Sequence, residues 1–209
     1  MFPLQSTQLP GDTLPLRIFE PRYARLVQDC LSADEPVFGV VLISRGLEVG
    51  GGDARSEVGA LARIDECAET GEGSYELIAT VGERIRVTEW LADDPYPRAL
   101  IEPWPDEPGP AVGPEQIGVV VDRILALYER VAQARGLRLN PGVLAVDPET
   151  ADDPAQHLYA LAARVPMGQA DRYSVLAAPT LAERIYVVTD AVETVMAMVE
   201  FQLAEEEPD

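Results

Sequence analysis

Few residues in this chain could bind a metal ion or attack a substrate. His157 is the single histidine, and the two cysteines, Cys30 and Cys67, lie far apart in the sequence. Metal sites in proteins draw on several imidazole or thiolate ligands at short spacing. Cys30 also falls on the apolar face of a predicted helix, where a free thiol behaves as a small hydrophobe. The spacing therefore predicts no metal site.

A set of catalytic side chains is equally hard to assemble. A catalytic triad needs a nucleophile, a base and an orienting acid, and no serine or cysteine lies in a recognisable nucleophile elbow that His157 could serve. The paired carboxylates Asp93-Asp94 and Asp152-Asp153 stand beside prolines, which is typical of turns and helix caps. We therefore expect no catalytic residue, and we do not expect an enzyme.

The charged residues argue against several further kinds of site. The chain has 36 acidic and 16 basic residues, for a formal net charge of −20, and every basic residue is an arginine. A P-loop, a Schiff base and a Ser–Lys dyad each require a lysine amine, so none of them can be built from these residues. Because phosphate-backbone binding depends on clustered cations, the charge also argues against a nucleic-acid partner.

A glycine-rich stretch at residues 46–52 raises the question of a phosphate-binding loop. Gly46, Gly50, Gly51 and Gly52 follow a predicted strand. A dinucleotide loop, however, leads directly into a helix N-terminus, whereas residues 58–66 alternate in the manner of another strand. The pattern predicts a hairpin connection, and we expect no cofactor.

Signals for secretion or membrane insertion are missing from the sequence. No basic apolar leader is visible, and no apolar run reaches the roughly 18 residues that a membrane span requires. The two cysteines provide no disulfide framework. From these features we expect a cytoplasmic protein with no membrane partner.

The clearest structural signal is a strand that runs directly into a helix at residues 14–31. Pro21 suits the first helical position, because its missing N–H would have no partner there in any case. An apolar stripe follows at helical spacing, formed by Tyr23, Leu26, Val27, Cys30 and Leu31. We expect Glu20 to cap the helix and Arg25 to reach Asp29. The residues interpreted as a structural motif at this junction are Phe19, Glu20, Pro21, Arg22 and Tyr23.

Short strands fill the rest of the first half. Alternating or β-branched runs separated by turn residues predict a small barrel or sandwich of short strands. Six runs lie at residues 14–19, 37–44, 58–66, 74–81, 84–91 and 96–104, and residues 1–13 are expected to form a short strand followed by a turn. Three aromatic residues lie near strand ends, and exposed aromatics often mark recognition surfaces. The candidate peptide-binding residues are Trp90, Tyr96 and Trp104.

A proline-rich segment separates this half from a helical one. Its proline density forbids both a helix and a central strand, so we predict domains at 1–104 and 115–209 with a linker at 105–114. In the second domain, helical periodicity predicts a bundle of helices that ends in an acidic tail. The last of these helices carries an apolar heptad seam. That seam could pack within the bundle or against a second chain, so the oligomeric state stays open.

The first half resembles the Lon protease N-terminal (substrate-binding) domain family. The matching segments, in the order of that family, are Phe2-Pro3-Leu4, residues 14–23, Phe38-Gly39-Val40-Val41, and residues 58–64, 82–87 and 95–96. The helical half resembles the family's helical extension mainly through residues 176–184. The resemblance implies an α+β fold, with a PUA-like β pseudo-barrel and one early helix followed by a helical bundle. We expect a stand-alone member without the ATPase and protease domains.

The resemblance also implies a function. The expected protein is a non-catalytic protein- or peptide-binding module, an adaptor or substrate-capture protein in protein quality control. Its expected partners are unfolded or basic protein segments and a separate ATPase or protease. Two alternatives stay open, namely an RNA-binding PUA-like protein, and a small-molecule sensor or enzyme with a pocket between barrel and bundle.

Overall fold

The computed structural model describes residues 1–46, 54–71, 73–140 and 142–206. Two compact units make up the chain, Met1–Pro105 and Asp106–Asp209. Residues 47–53, which contain Gly50, Gly51 and Gly52 of the predicted hairpin connection, and the end of the acidic tail at 207–209 lie outside the described residues. A strand-rich first unit and a helical second unit confirm the predicted α+β class.

The first unit combines a sheet with one helix. Its elements are β1 (Phe2–Leu4), β2 (Thr13–Ile18), α1 (Pro21–Leu31), β3 (Val37–Arg45), β4 (Ala54–Gly71), β5 (Ser74–Leu91) and β6 (Arg98–Pro103). The strand order is β1-β3-β4-β5-β2, and β6 also pairs with β5. The β1–β3 pair is parallel and the other pairs are antiparallel. Within the described residues the sheet is therefore unclosed, and β2 is an edge strand.

One sequence prediction fails in β5. Residues 74–81 and 84–91 were expected to form two strands joined by a turn at Gly82-Glu83, but they form one strand of 18 residues. The strand exchanges partners along its length, because β2 pairs with residues 75–80 and β6 with residues 85–91. The glycine thus marks a change of partner rather than a turn.

The helix α1 covers the inner face of the sheet. Its predicted stripe is buried at Tyr23, Leu26 and Val27, and the Tyr23 ring stacks on Phe2 with centroids 4.2 Å apart. The prediction is wrong for Leu31, which is 48% exposed because the helix ends at this residue.

The second unit is a bundle of helices. They are α2 (Pro114–Ala134), α3 (Pro148–Asp152), α4 (Pro154–Ala162), α5 (Gln169–Ala177) and α6 (Leu181–Glu206). The short helix α3 was not predicted. Ion pairs link α2 to α6 at Arg123–Glu193 and Arg130–Glu200. Because both partners advance by seven residues from one pair to the next, the two helices run in the same direction. Val188, Val192 and Val195 of the predicted heptad seam are buried.

The proline-rich segment makes specific contacts within the second unit. The Arg184 guanidinium on α6 is fully buried and donates to the Asp106 carboxylate and to the carbonyl oxygen of Ala178. The Glu107 amide donates to the carbonyl oxygen of Pro179 at 2.8 Å. These contacts fix the start of the segment against the N-terminal end of α6.

Candidate functional site

The junction motif before α1 is tied together by its own side chains. Glu20 occupies the N-cap position but makes no side-chain capping bond, which corrects the expectation from the sequence. Its carboxylate instead accepts a hydrogen bond of 3.0 Å from Arg22 Nε. The Arg22 guanidinium also lies over the Tyr23 ring, 4.5 Å from the centroid. The predicted Arg25–Asp29 ion pair is present, at 3.0 Å. These contacts give the motif a packing role.

Trp104 is placed in the interior of its unit. Its indole is 7% exposed, and the guanidinium carbons of Arg84 and Arg86 lie 4.5 and 4.1 Å from the ring centroid. Its amide donates to the carbonyl oxygen of Arg84 at 2.9 Å. The predicted recognition aromatic is therefore a buried residue that packs against two arginines.

Trp90 and Tyr96 are half-buried beside the turn between β5 and β6. The Arg55 guanidinium lies 5.0 Å from the Trp90 ring centroid and forms two hydrogen bonds with Asp93, of 3.0 and 2.8 Å. These bonds hold the pKa of Asp93 below its usual range. The Tyr96 hydroxyl donates to Asp29 at 2.8 Å, and burial together with this acceptor raises the pKa of Tyr96.

The three candidate aromatics do not form one surface. Trp104 lies opposite Arg84, and at about 3.3 Å per strand residue the backbone of Arg84 is roughly 20 Å along β5 from that of Trp90. Trp90 and Tyr96 remain predicted peptide contacts, at the end of the sheet where β5 leads into β6.

The residues considered for metal binding or nucleophilic chemistry stand apart. Burial raises the pKa of both the Cys30 and Cys67 thiols, and the Cys30 thiol donates to the carbonyl oxygen of Val37. Burial and the neighbouring Arg164 lower the pKa of His157. In the described part of the chain, no three His, Cys, Asp or Glu side chains are grouped so that they could hold a metal ion.

None of the described helices has the length and apolarity to cross a membrane.

A groove of about 660 Å³ lies on the sheet of the first unit. Three neighbouring strands line it with three consecutive residues each, residues 15–17 of β2, 66–68 of β4 and 76–78 of β5. Strand register arranges these nine residues in three rows, Pro15–Ile78–Glu66, Leu16–Leu77–Cys67 and Arg17–Glu76–Ala68.

The rows alternate between the two faces of the sheet, as successive strand residues must. The middle row faces inward, where Leu77 is buried and Leu16 and Cys67 pack against the core. The two outer rows face solvent, and Ile78 at the centre of one of them is 39% exposed. The exposed lining residues therefore include three apolar ones, Pro15, Ile78 and Ala68, and three charged ones. Leu16 and Cys67 of the middle row are partly exposed and also line the groove.

A smaller pocket of about 210 Å³ lies next to the groove and shares Pro15, Leu16 and Arg17 with it. Phe2, Ile18, Phe19, Glu20 and Tyr23 complete its lining. The Phe19 side chain is 62% exposed. Phe19 belongs to the junction motif by sequence, but this exposure shows that its ring does not help to dock the helix.

The sequence pattern does not predict this groove. Its residues come from three strands, β2, β4 and β5, and no local motif connects them. By sequence, Pro15 belongs to an apolar strand run and Ile78 is an ordinary strand residue. An exposed isoleucine in a strand interior was the available signal, but assigning it requires knowledge of which face of the strand is buried.

Comparison with known proteins places the chain in a family. The family described as "ATP-dependent protease La (LON) substrate-binding domain" matches residues 1–194. Over 98 residues the chain is 35% identical to a Lon protease of Anaeromyxobacter dehalogenans, covering 46% of this chain and 12% of that protein. Over 194 residues it is 26% identical to Lon protease 2 of Thermus thermophilus, covering 92% of this chain and 23% of that protein. The chain thus spans less than a quarter of the length of these two relatives.

Solved structures agree with this assignment. The Lon N-terminal domain protein from Xanthomonas campestris superimposes with a TM-score of 0.61 at 26% identity, covering 88% of this chain and 92% of that one. The N-terminal domain of a Mycobacterium avium complex Lon protease shares the fold, with a TM-score of 0.57 at 14% identity, covering 91% of this chain and 96% of that one. Because the family match extends over nearly the whole sequence, the chain belongs to the Lon protease substrate-binding domain family.

Proposed function

We propose that this chain is a non-catalytic recognition module that binds exposed apolar segments of other proteins in the groove formed by β2, β4 and β5. Membership of a family described as substrate-binding supports this function. The groove volume of about 660 Å³ lies within the range of roughly 300–1,000 Å³ that is common for ligand sites.

The exposure of Ile78 is the observation that carries the proposal. This side chain stands in the solvent-facing row of the groove, between Pro15 and Glu66. Covering an exposed isoleucine removes apolar surface from water and contributes about 1.5–3 kcal/mol for a full side chain. Unfolded proteins present many apolar side chains, whereas folded proteins bury most of theirs. The groove therefore favours unfolded clients.

The relatives are Lon proteases, which supports a wider role for the proposed module. In this proposal the module captures unfolded clients in the cytoplasm for protein quality control. A separate ATPase or protease, or further domains joined to this module, then acts on the captured client.

The experiment compares one protein in two states. Carboxymethylated α-lactalbumin, which is unfolded, and native α-lactalbumin are each titrated against the chain by isothermal calorimetry. We expect binding of the unfolded form and none of the native form. Equal binding of both forms, or binding of neither, would contradict the proposal.

A matched pair of variants locates the site. Ile78→Gln removes the exposed isoleucine of the groove, and Ile101→Gln removes an isoleucine on β6 that is also 39% exposed but lies outside it. Covering the exposed part of this side chain contributes about 0.6–1.2 kcal/mol, so its loss weakens the affinity about three- to eightfold. We expect this loss for Ile78→Gln and less than a twofold change for Ile101→Gln. Equal effects of the two substitutions would place the site elsewhere.

A further inference from the structure

The charged side chains of the groove are unevenly paired. Arg17 on β2 forms an ion pair with Glu76 on β5, with Nη2 and Oε1 2.9 Å apart. Glu66 on β4 is exposed, and its carboxylate forms no side-chain hydrogen bond or ion pair within the described part of the chain. The groove therefore contains one carboxylate whose charge no neighbouring side chain compensates.

This carboxylate stands beside the apolar centre of the groove. Glu66 is the register partner of Ile78, and directly opposed residues on antiparallel strands have Cβ atoms about 4.5–5.5 Å apart. In an extended polypeptide, side chains on one face repeat every second residue, or about 6.6 Å. An extended segment that crosses β5 and β4 can thus place one side chain on Ile78 and the next on the same face beside Glu66.

We propose that the groove selects extended protein segments in which an arginine or lysine lies two positions from an apolar residue. The apolar side chain covers Ile78, and the cation pairs with Glu66. This selectivity rests on the proposed function and adds a chemical class of client to it. Arg17 lies on the opposite side of the groove, where its positive charge repels the same cation. It also competes with that cation for Glu76.

The net charge of −20 attracts any cationic peptide. The test must therefore distinguish the effect of the Glu66 carboxylate from the attraction that the whole negative charge exerts. Glu83 provides a matched control, because it is an exposed glutamate on β5 that lies outside the groove. Glu66→Gln and Glu83→Gln remove the same formal charge. Arg17→Gln changes the net charge in the opposite direction.

Fluorescence anisotropy with two labelled peptides measures the selectivity. One peptide repeats Leu-Ser-Arg three times, and the other repeats Leu-Ser-Gln three times. For each protein, the preference is the ratio of its affinity for the arginine peptide to its affinity for the glutamine peptide. Because an exposed ion pair changes affinity by about two- to fivefold, we expect this ratio to be about two to five times larger for the native chain than for Glu66→Gln. Glu83→Gln keeps the full preference, and Arg17→Gln increases it.

The outcomes separate this inference from the proposed function. If both peptides bind and Glu66→Gln retains the preference, or if Glu83→Gln loses as much of it, the selectivity of Glu66 is overturned while apolar binding stands. If neither peptide binds the native chain and unfolded α-lactalbumin also fails to bind, both proposals are overturned.

Discussion

Glu66 on β4 and Ile78 on β5 are register partners, so a carboxylate and an exposed apolar side chain stand side by side on the outer face of the sheet. Pro15 of β2 flanks Ile78 on its other side. A proline is tolerated there because β2 is an edge strand, where a missing N–H need not break the ladder. Three strands that are distant in sequence thereby build one mixed apolar and acidic surface.

The packing of β4 against β3 requires glycine at position 59. A Cβ at this position would lie 2.2 Å from the carbonyl oxygen of Val40 and 2.7 Å from Val41 Cγ1. Because backbone must move to relieve the first contact, we expect Gly59→Ala to lower the free energy of unfolding by about 2–3 kcal/mol. Urea denaturation followed by circular dichroism measures this change.

Gly71 on the same strand is the control for this substitution. A Cβ at Gly71 has no neighbouring atom within 4 Å, so Gly71→Ala should change the stability by less than about 0.5 kcal/mol. If the two alanine variants lose similar amounts of unfolding free energy, the close approach to Val40 is not what requires glycine at position 59.

The buried Arg184 gives a second stability prediction. Its guanidinium has no exposed surface and pairs with Asp106, whose side chain is 27% exposed. Asp106→Ala removes the carboxylate and leaves a buried cation with less compensation, which costs about 3 kcal/mol. Thermal and urea unfolding of the helical unit should both report this loss, whereas Asp190→Ala at an exposed site on α6 should cost about 0.5 kcal/mol or less. A cost below about 1 kcal/mol for Asp106→Ala would contradict the role of the pair.

Asp93 predicts a defined pH dependence. Hydrogen bonds from Arg55 hold its pKa below the usual value of 3.8 in the folded chain. A depressed carboxyl pKa stabilises the fold above the unfolded pKa, and this stabilisation is lost as the pH falls through the folded pKa. The stability difference between the native chain and Asp93→Asn should therefore be constant above about pH 5 and shrink below about pH 4. Because the carboxylate is partly exposed, the full difference should be about 1 kcal/mol or less.

A double-mutant cycle provides the control for this pH dependence. In an Arg55→Gln background the cation is gone, so adding Asp93→Asn should produce a much smaller pH-dependent difference. If the difference between the native chain and Asp93→Asn does not vary between pH 2 and pH 6, the ion pair does not set the titration of Asp93.

Local signals in the sequence predicted the positions of the elements well. Pro21 begins a helix where expected, and Pro154 begins another directly after Asp153, one of the carboxylates assigned to turns and helix caps. At Asp153 the predicted cap is present, with the carboxylate accepting from the amides of Ala155 and Gln156 at 2.8 and 3.2 Å. Glu20 occupies the same position before α1, but its longer side chain bonds to Arg22 instead. Capping by a glutamate thus depended on a competing partner that the local pattern does not reveal.

The candidate site is harder to predict from the sequence than the helices and strands are, because it depends on strand register. Trp104 is a candidate because it lies near a strand end, yet the structure buries it against Arg84 and Arg86. The sequence places Phe19 in the junction motif beside Glu20-Pro21, but its ring is largely in solvent. Whether a strand residue faces the core or the solvent follows from its pairing, and a shift of one residue reverses the answer.

The most direct test of the proposed binding groove is an NMR titration of the uniformly ¹⁵N-labelled chain with unfolded α-lactalbumin. We expect the amide resonances of Leu16, Arg17, Glu66, Leu77 and Ile78 to shift or broaden together, while those of β6 around Ile101 change little. Binding accompanied by perturbations confined to β6 or to the helical unit, with the groove resonances unchanged, would contradict the proposed groove.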